Sequence, residues 1–268
     1  MDILLAFLVV SAIGLILAVI LTVASHFMRV EEDETVKTVR AALPSVNCGA
    51  CGYTGCDEYA KAIVEEGAKT NLCIPGADAV SKQISEIMGV GFEDVKEMVA
   101  YVHCNGNCEA TDSKAHYDGQ MTCRAASLIY GGPGKCRFGC LGCGDCARAC
   151  PVNAICLKDG IAHVNPKICI GCGLCVSDCP KNIISLVPQV SEVWVMCSSE
   201  DKGAVALKNC KNACIGCGKC EKNCPSGAIK VENNLARIDY DLCTACGICV
   251  GVCPTKCIHS SKERNDEN

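Results

Sequence analysis

Between residues 140 and 254 one cysteine pattern is written four times, and few folds can satisfy it. The copies are Cys140-x2-Cys143-x2-Cys146-x3-Cys150-Pro151, Cys169/Cys172/Cys175/Cys179-Pro180, Cys214/Cys217/Cys220/Cys224-Pro225 and Cys243/Cys246/Cys249/Cys253-Pro254. This is the spacing by which a chain holds [4Fe–4S] clusters. A cubane needs four thiolates at tetrahedral corners, and a tight C-x2-C-x2-C loop supplies only three. The fourth Cys stands before a Pro that stops regular helix, points away, and ligates the other cluster of its pair.

Counting checks the pairing. Cys140 to Cys169 is 29 residues, as is Cys214 to Cys243, while 140 to 214, 150 to 224 and 179 to 253 are each 74. Two nested periods mark an internal duplication. The reading is two adjacent bacterial-type two-cluster ferredoxin modules, residues 136–190 and 191–262. In the first, one cluster takes Cys140, Cys143, Cys146 and Cys179, and its neighbour Cys169, Cys172, Cys175 and Cys150. In the second, the sets are Cys214, Cys217, Cys220 and Cys253, then Cys243, Cys246, Cys249 and Cys224. Paired C-x2-C units also make zinc ribbons, but four tandem copies ending in x3-Cys-Pro favour iron–sulfur.

The 28 cysteines among 268 residues would suit a disulfide scaffold in a small secreted protein, but adjacent C-x2-C pairs suit metals better. Thiolates kept free for iron imply a reducing compartment. With aromatics at 4% and a single Trp, a large conventional core is not expected, so cluster binding must supply much of the folding free energy. A net charge of −5 gives no argument for nucleic acid.

Residues 3–25 carry no charge over 23 positions, enough for a helix to cross a hydrocarbon layer about 30 Å thick. A cleaved signal peptide would want a basic start, yet Met1-Asp2 opens the chain and the first basic residue after it is Arg29. With Arg29, Lys37 and Arg40 all beyond the span, the positive-inside rule puts the N-terminus outside and the rest in the cytoplasm. Residues 1–28 are thus expected to be a single-pass anchor in a bacterial or archaeal cytoplasmic membrane. Glu31 to Glu34 reads as a solvated linker.

A second cysteine unit, Cys48-x2-Cys51-x4-Cys56-x16-Cys73, lies in residues 29–103. Gly49, Gly52 and Gly55 let the backbone wrap closely around a bound group. Apolar spacing predicts helices over Asp57–Ala68 and Ala77–Met88, the latter stopped by Gly89, and a third holding Phe92, Val95 and Val99. The expectation is a fifth cluster in a small helical domain, against a zinc knot.

An N-terminal anchor, the segment NCGACGYTGC with its distal Cys73, and ferredoxin repeats downstream together resemble the family of Rnf-complex B subunits. Rnf complexes are membrane-bound, ion-translocating ferredoxin:NAD+ oxidoreductases. The resemblance implies cluster ligation by Cys48, Cys51, Cys56 and Cys73 and by the ferredoxin-type cysteines. It also implies electrons arriving from reduced soluble ferredoxin and leaving through the membrane-proximal domain to integral-membrane and flavin- or NAD-binding subunits, which couple the flow to Na+ or H+. The chain departs from shorter family members in having two ferredoxin modules. The expected class is α+β: one transmembrane helix, a small helical cluster domain and two ferredoxin modules. Rival readings are a polyferredoxin component of a membrane hydrogenase or formate-oxidising complex, and a zinc-bound scaffold.

In the connecting segment 104–135 and just beyond it stand Cys104, Cys108, Cys123 and Cys136. Cys123 and Cys136 recur 74 residues later as Cys197 and Cys210, whereas Cys104 and Cys108 have no such echo. One reading is a sixth cluster on Cys104, Cys108, Cys123 and Cys136. Another lets Cys136 or Cys210 replace a ligand in the neighbouring run, and a third makes all of them small buried hydrophobes. Cys257 and Cys156 are expected to be non-ligands. His103, His116, His163 and His259 read as surface or capping residues.

No Gly-rich dinucleotide fingerprint follows a strand and no nucleophile–base constellation is visible, so no flavin, NAD or complete active site is expected on this chain. From Cys197 to Lys230, six lysines face Glu200, Asp201 and Glu221. Such an excess of positive charge, with Lys211, Lys219 and Lys222 central to it, would steer an acidic ferredoxin, or it is a solvated face whose charge anionic clusters cancel. The tail from 263 to 268 reads as disordered.

Overall fold

The computed structural model of the chain describes residues 2–27 and 33–261; Arg29, Glu31, Glu32 and the tail from 263 lie outside the described residues. The uncharged run forms α1 (Asp2–Phe27). Its Phe7–Ser25 stretch is long and apolar enough to cross a membrane, and none of it is buried against the rest of the described chain.

A small helical unit follows. Helix α2 (Glu34–Ala42) starts where the Asp33 carboxylate accepts the Thr35 N–H at 2.8 Å, satisfying an orphan donor of the first turn. It packs with α3 (Cys56–Glu65) and α4 (Ala77–Met88), burying Val39, Tyr59, Ile63 and Ile84 together with Cys73. Gly89 ends α4 in the left-handed conformation at φ +65°, as its position predicts. The third expected helix is not there. Met98–Val102 is strand β1, because its residues pair antiparallel with strand β4 (Ile184–Pro188), Val102 opposite Ile184.

Between those two strands lie α5 (Cys123–Leu128), α6 (Asp145–Arg148), the hairpin of β2 (Ile155–Lys158) and β3 (Ile161–Val164), and α7 (Leu174–Asp178). The same plan recurs downstream: β5 (Val193–Val195), α8 (Gly203–Asn209), α9 (Lys219–Lys222), the hairpin of β6 (Ile229–Glu232) and β7 (Leu235–Ile238), α10 (Ile248–Val252) and β8 (Ile258–Ser260). Strand β8 returns to β5, with Val195 opposite Ile258. The third Cys of every ferredoxin run rides on a one-turn helix, Cys146 on α6, Cys175 on α7, Cys220 on α9 and Cys249 on α10. Each is buried among aliphatic residues such as Ile155, Ile161 and Ile183, or Ile229 and Ile258, so the thiols line the two module cores.

The modules meet along a packed seam. Tyr101 of β1 stacks on Trp194 of β5 with ring centroids 4.8 Å apart and planes 14° apart, an arrangement that adds about 0.5–1.5 kcal/mol beyond area burial. His103 is not the surface residue its sequence context suggests: Nδ1 lies 2.8 Å from the Val195 carbonyl and Nε2 2.6 Å from Ser185 Oγ, and burial pushes its pKa down.

Within the C-x2-C loops the second spacer residue takes a left-handed conformation, at Gly142 (φ +69°), Gly171 (φ +65°) and Gly216 (φ +62°). A Cβ at Gly142 would stand 2.5 Å from the Gly160 carbonyl oxygen, and one at Gly216 2.8 Å from the Asn234 backbone, so glycine is required there twice over. The fourth run places Ala245 in the same conformation at φ +54°. Relief of that strain should make Ala245→Gly more stable by about 1 kcal/mol, read as a raised denaturation midpoint of the anaerobic holoprotein.

Candidate metal centres

Cys48, Cys51, Cys56 and Cys73 converge on one cavity walled by Leu43, Val46 and Tyr59. Helix α3 opens at Cys56, whose N–H is accepted by Asn47 Oδ1 at 2.8 Å. The Tyr59 hydroxyl donates to the Lys69 carbonyl at 2.7 Å and accepts the Leu72 N–H at 3.2 Å, which pins the stretch of chain carrying Cys73 against α3. Burial pushes the Cys73 thiol up to about 11.

In the first module Cys140, Cys146 and Cys179 border a cavity lined by Ile183 and Ile184. Cys143 adjoins it through Cys140 and Cys123. Cys150, Cys169 and Cys172 gather about Cys175. Here Cys150 Sγ accepts the Ala154 N–H at 3.2 Å and Cys169 Sγ the Ala100 N–H at 3.5 Å. In the second module Cys214, Cys217, Cys220 and Cys253 line one small cavity. Cys243 and Cys246 surround Cys249, and Cys224 packs on the same core. The fourth Cys of a run thus lies with the partner run: Cys179 with Cys140, Cys253 with Cys214, Cys150 with Cys175.

The sets also stand next to one another. Burial pushes the Cys172 thiol up and Cys48 of the helical unit, close by, adds to the rise; on Cys146 burial again acts first, with Cys175 among the neighbouring thiols that add to it. The approach at Cys172 is tight, because a Cβ on Gly171 would lie 2.4 Å from the Met98 carbonyl oxygen.

Two thiols outside the expected sets enter these cavities. Cys123 lines the one holding Cys140 and Cys146. Cys257, fully buried, sits with its Sγ 3.6 Å from that of Cys253. Hydrogen bonding from the Cys257 thiol holds Cys253 down to about 5 and Cys214 down to about 6, and its own pKa is driven up. The only sign of this in the sequence is that Cys257 has no counterpart in the other runs.

The remaining cysteines are grouped differently from the spacing-based expectation. Cys104 and Cys136 face one cavity together with Cys197 and Cys210, not with Cys108 and Cys123. Cys108 is exposed, its N–H spent on the Asp159 carbonyl at 3.1 Å. The counterpart of Cys197 is Cys104, since each follows the first strand of its module by two residues. Each sulfur also accepts the N–H two residues on and that of the first Cys of the next run. The first module carries 19 extra residues between its two cysteines (32 from Cys104 to Cys136, 13 from Cys197 to Cys210), which sets the 74-residue count out of step.

Fold and thiol-lined cavities together define a multi-cluster ferredoxin-type iron–sulfur protein. Residues 139–183 and 213–257 each match a family model described as "4Fe-4S dicluster domain", residues 168–229 match a second model of that description, and residues 43–75 match one described as "Putative Fe-S cluster". The chain is 44% identical over 256 residues to the B subunit of the Na(+)-translocating ferredoxin:NAD(+) oxidoreductase complex of Acetobacterium woodii, covering 95% of this chain and 77% of that protein. It is 42% identical to the B subunit of the proton-translocating ferredoxin:NAD(+) oxidoreductase complex of Clostridium ljungdahlii, over 93% of this chain and 89% of that protein. To the B subunit of the ion-translocating oxidoreductase complex of Methanosarcina acetivorans it is 37% identical, over 93% of this chain and 95% of that protein. The chain belongs to this family, the B subunits of Rnf complexes, and is an iron–sulfur electron-transfer component of a multi-subunit oxidoreductase.

A thiol that donates to ligand sulfurs favours the more reduced, more negative cluster. Cys257→Ala should therefore leave the iron content unchanged while lowering the potential of one cluster in an EPR-monitored redox titration; loss of about four irons would instead make Cys257 a ligand.

Proposed function

We propose that the chain is the arm of its complex that takes electrons from reduced ferredoxin and passes them through five [4Fe–4S] clusters to membrane-embedded and flavin- or NAD-binding partner subunits. The carrying observation is the five cysteine sets gathered on packed units, the Cys48 set beside Cys172 of the first module and the two sets of the second module around one shared core. The ligand sets are Cys48, Cys51, Cys56 and Cys73; Cys140, Cys143, Cys146 and Cys179; Cys169, Cys172, Cys175 and Cys150; Cys214, Cys217, Cys220 and Cys253; and Cys243, Cys246, Cys249 and Cys224. Each cluster, when bound, supplies a one-electron couple, within a range of roughly −700 to +450 mV across such proteins.

The residues fit that group better than a single zinc. Sulfurs around one Zn at 2.3 Å lie ~4 Å apart. The thiols of three sets stand around cavities, and each ferredoxin run adds the x3-Cys-Pro spacing that a zinc ribbon does not need. The chain's own part is to hold thiolates at the corners, aim backbone N–H groups at sulfur, and exclude water with Ile161, Ile183, Ile184 and their counterparts in the second module.

Helix α1 would cross a bacterial or archaeal cytoplasmic membrane once, its start outside, with lipid as its surroundings and everything from residue 33 in the cytoplasm. Ion movement would belong to the partners. On the second module, Lys202, Lys208, Lys211, Lys219, Lys222 and Lys230 are all exposed, and Lys219 borders the cavity of the Cys214 set beside exposed Cys217. An acidic ferredoxin steered to this face would arrive next to a cluster.

Two measurements test this reading. Cys73→Ser should lower iron by about four per chain and weaken the broad absorption near 400 nm in proportion. Replacing Lys211, Lys219 and Lys222 with Glu should slow reduction by ferredoxin about tenfold or more at low salt, with the difference fading as salt rises. Stopped-flow rates unchanged by the triple substitution would remove the docking face.

A further inference from the structure

We infer that Cys104, Cys136, Cys197 and Cys210 hold a further [4Fe–4S] cluster, shared between the two ferredoxin modules and lying between the Cys140 and Cys214 sets. The inference rests on reading the ferredoxin runs as cluster sites, and it concerns four thiols that reading leaves unused.

All four are free thiols lining one cavity, as the thiols of three of the sets already described do. Cys104 and Cys210 are buried, and Cys136 and Cys197 half-buried, so the four sulfurs are turned inward together. The site is built twice over by the duplication. Each module contributes one Cys two residues past its first strand and one four residues before its first ferredoxin run, Cys104 with Cys136 and Cys197 with Cys210.

The sulfurs are already furnished with donors. Cys104 Sγ accepts the N–H groups of Gly106 and Cys140, both at 3.4 Å. Cys197 Sγ accepts those of Ser199 at 3.4 Å and Cys214 at 3.2 Å. Backbone N–H groups aimed at sulfur are the surroundings found at Cys150 and Cys169. Gly106 lies against the sulfurs of both Cys104 and Cys210, and Gly139 against that of Cys136. Polar contacts hold the two halves in register, Asn212 Nδ2 donating to the Asn105 carbonyl at 2.8 Å and the Asn105 N–H to that of Met196 at 3.1 Å.

Position gives the site its use. The N–H groups of Cys140 and Cys214, the first ligands of the facing sets, both end on its sulfurs. One electron received from one side leaves to the other, each reduction matched by the neighbour's oxidation, with no bond to the protein made or broken. The two modules are thereby joined in one path.

The test is iron and acid-labile sulfide per full-length chain, purified or reconstituted anaerobically. The wild type should carry about twenty-four of each, Cys104→Ala/Cys210→Ala about twenty, and the exposed-thiol variant Cys108→Ala about twenty-four. A wild-type count of about twenty, with or without one zinc, overturns the shared cluster and leaves the five others standing. So does a double variant that keeps the full wild-type iron. Should the double variant not fold, the wild-type count decides alone. A wild type free of iron would overturn the proposed function as well.

Discussion

A short loop can wrap three corners of a cubane but cannot reach round to the fourth, and most of this fold follows from that shortfall. Each run must be brought back against another so that a distant cysteine supplies the missing corner. The β2–β3 and β6–β7 hairpins turn the chain round, and the β1–β4 and β5–β8 pairs close each module. The one-turn helices present the third thiol of each run to the interior. Because Cys146, Cys175, Cys220 and Cys249 are buried among the aliphatic residues, collapse of the core and enclosure of the metal site are one event. A chain with so few aromatics has little else from which to build.

What could be read beforehand was whatever is local or strictly periodic. The four runs, their crossed pairing, the uncharged N-terminal helix and α4 with its Gly89 stop were all visible as spacing. What depends on partners far along the chain was not. Phe92, Val95 and Val99 fit a helical period, yet Val99 belongs to β1, whose opposite residue is Val187. The kinship of Cys104 and Cys197 was hidden by 19 inserted residues, and counting paired Cys123 with Cys197 in its place. A repeat compared strand by strand would have found it; one compared by number alone could not. His103 looked ordinary because nothing in its neighbours announces that Val195 and Ser185 enclose it.

The duplication has also been allowed to diverge where it touches metal sites. Each module brings one additional thiol to its first cavity, but from unrelated places: Cys123 from α5 ahead of the run, Cys257 from the turn after the last one. Three runs need glycine in the C-x2-C turn, and the fourth carries Ala245. Equivalent scaffolds therefore present non-equivalent surroundings to their sulfurs, one of the means by which proteins set cluster potentials apart.

The Tyr101–Trp194 stack has a bearing on rate. Domains joined only by a linker move relative to one another as a matter of course. Here the first strands of both modules share buried rings, with Val99 and Val187 packed against them. Donor–acceptor gaps across the seam are consequently fixed by the thickness of side chains and do not wait on a diffusive search. For the two modules that share these rings, the pace of any transfer across the seam is written into packing at the moment of folding.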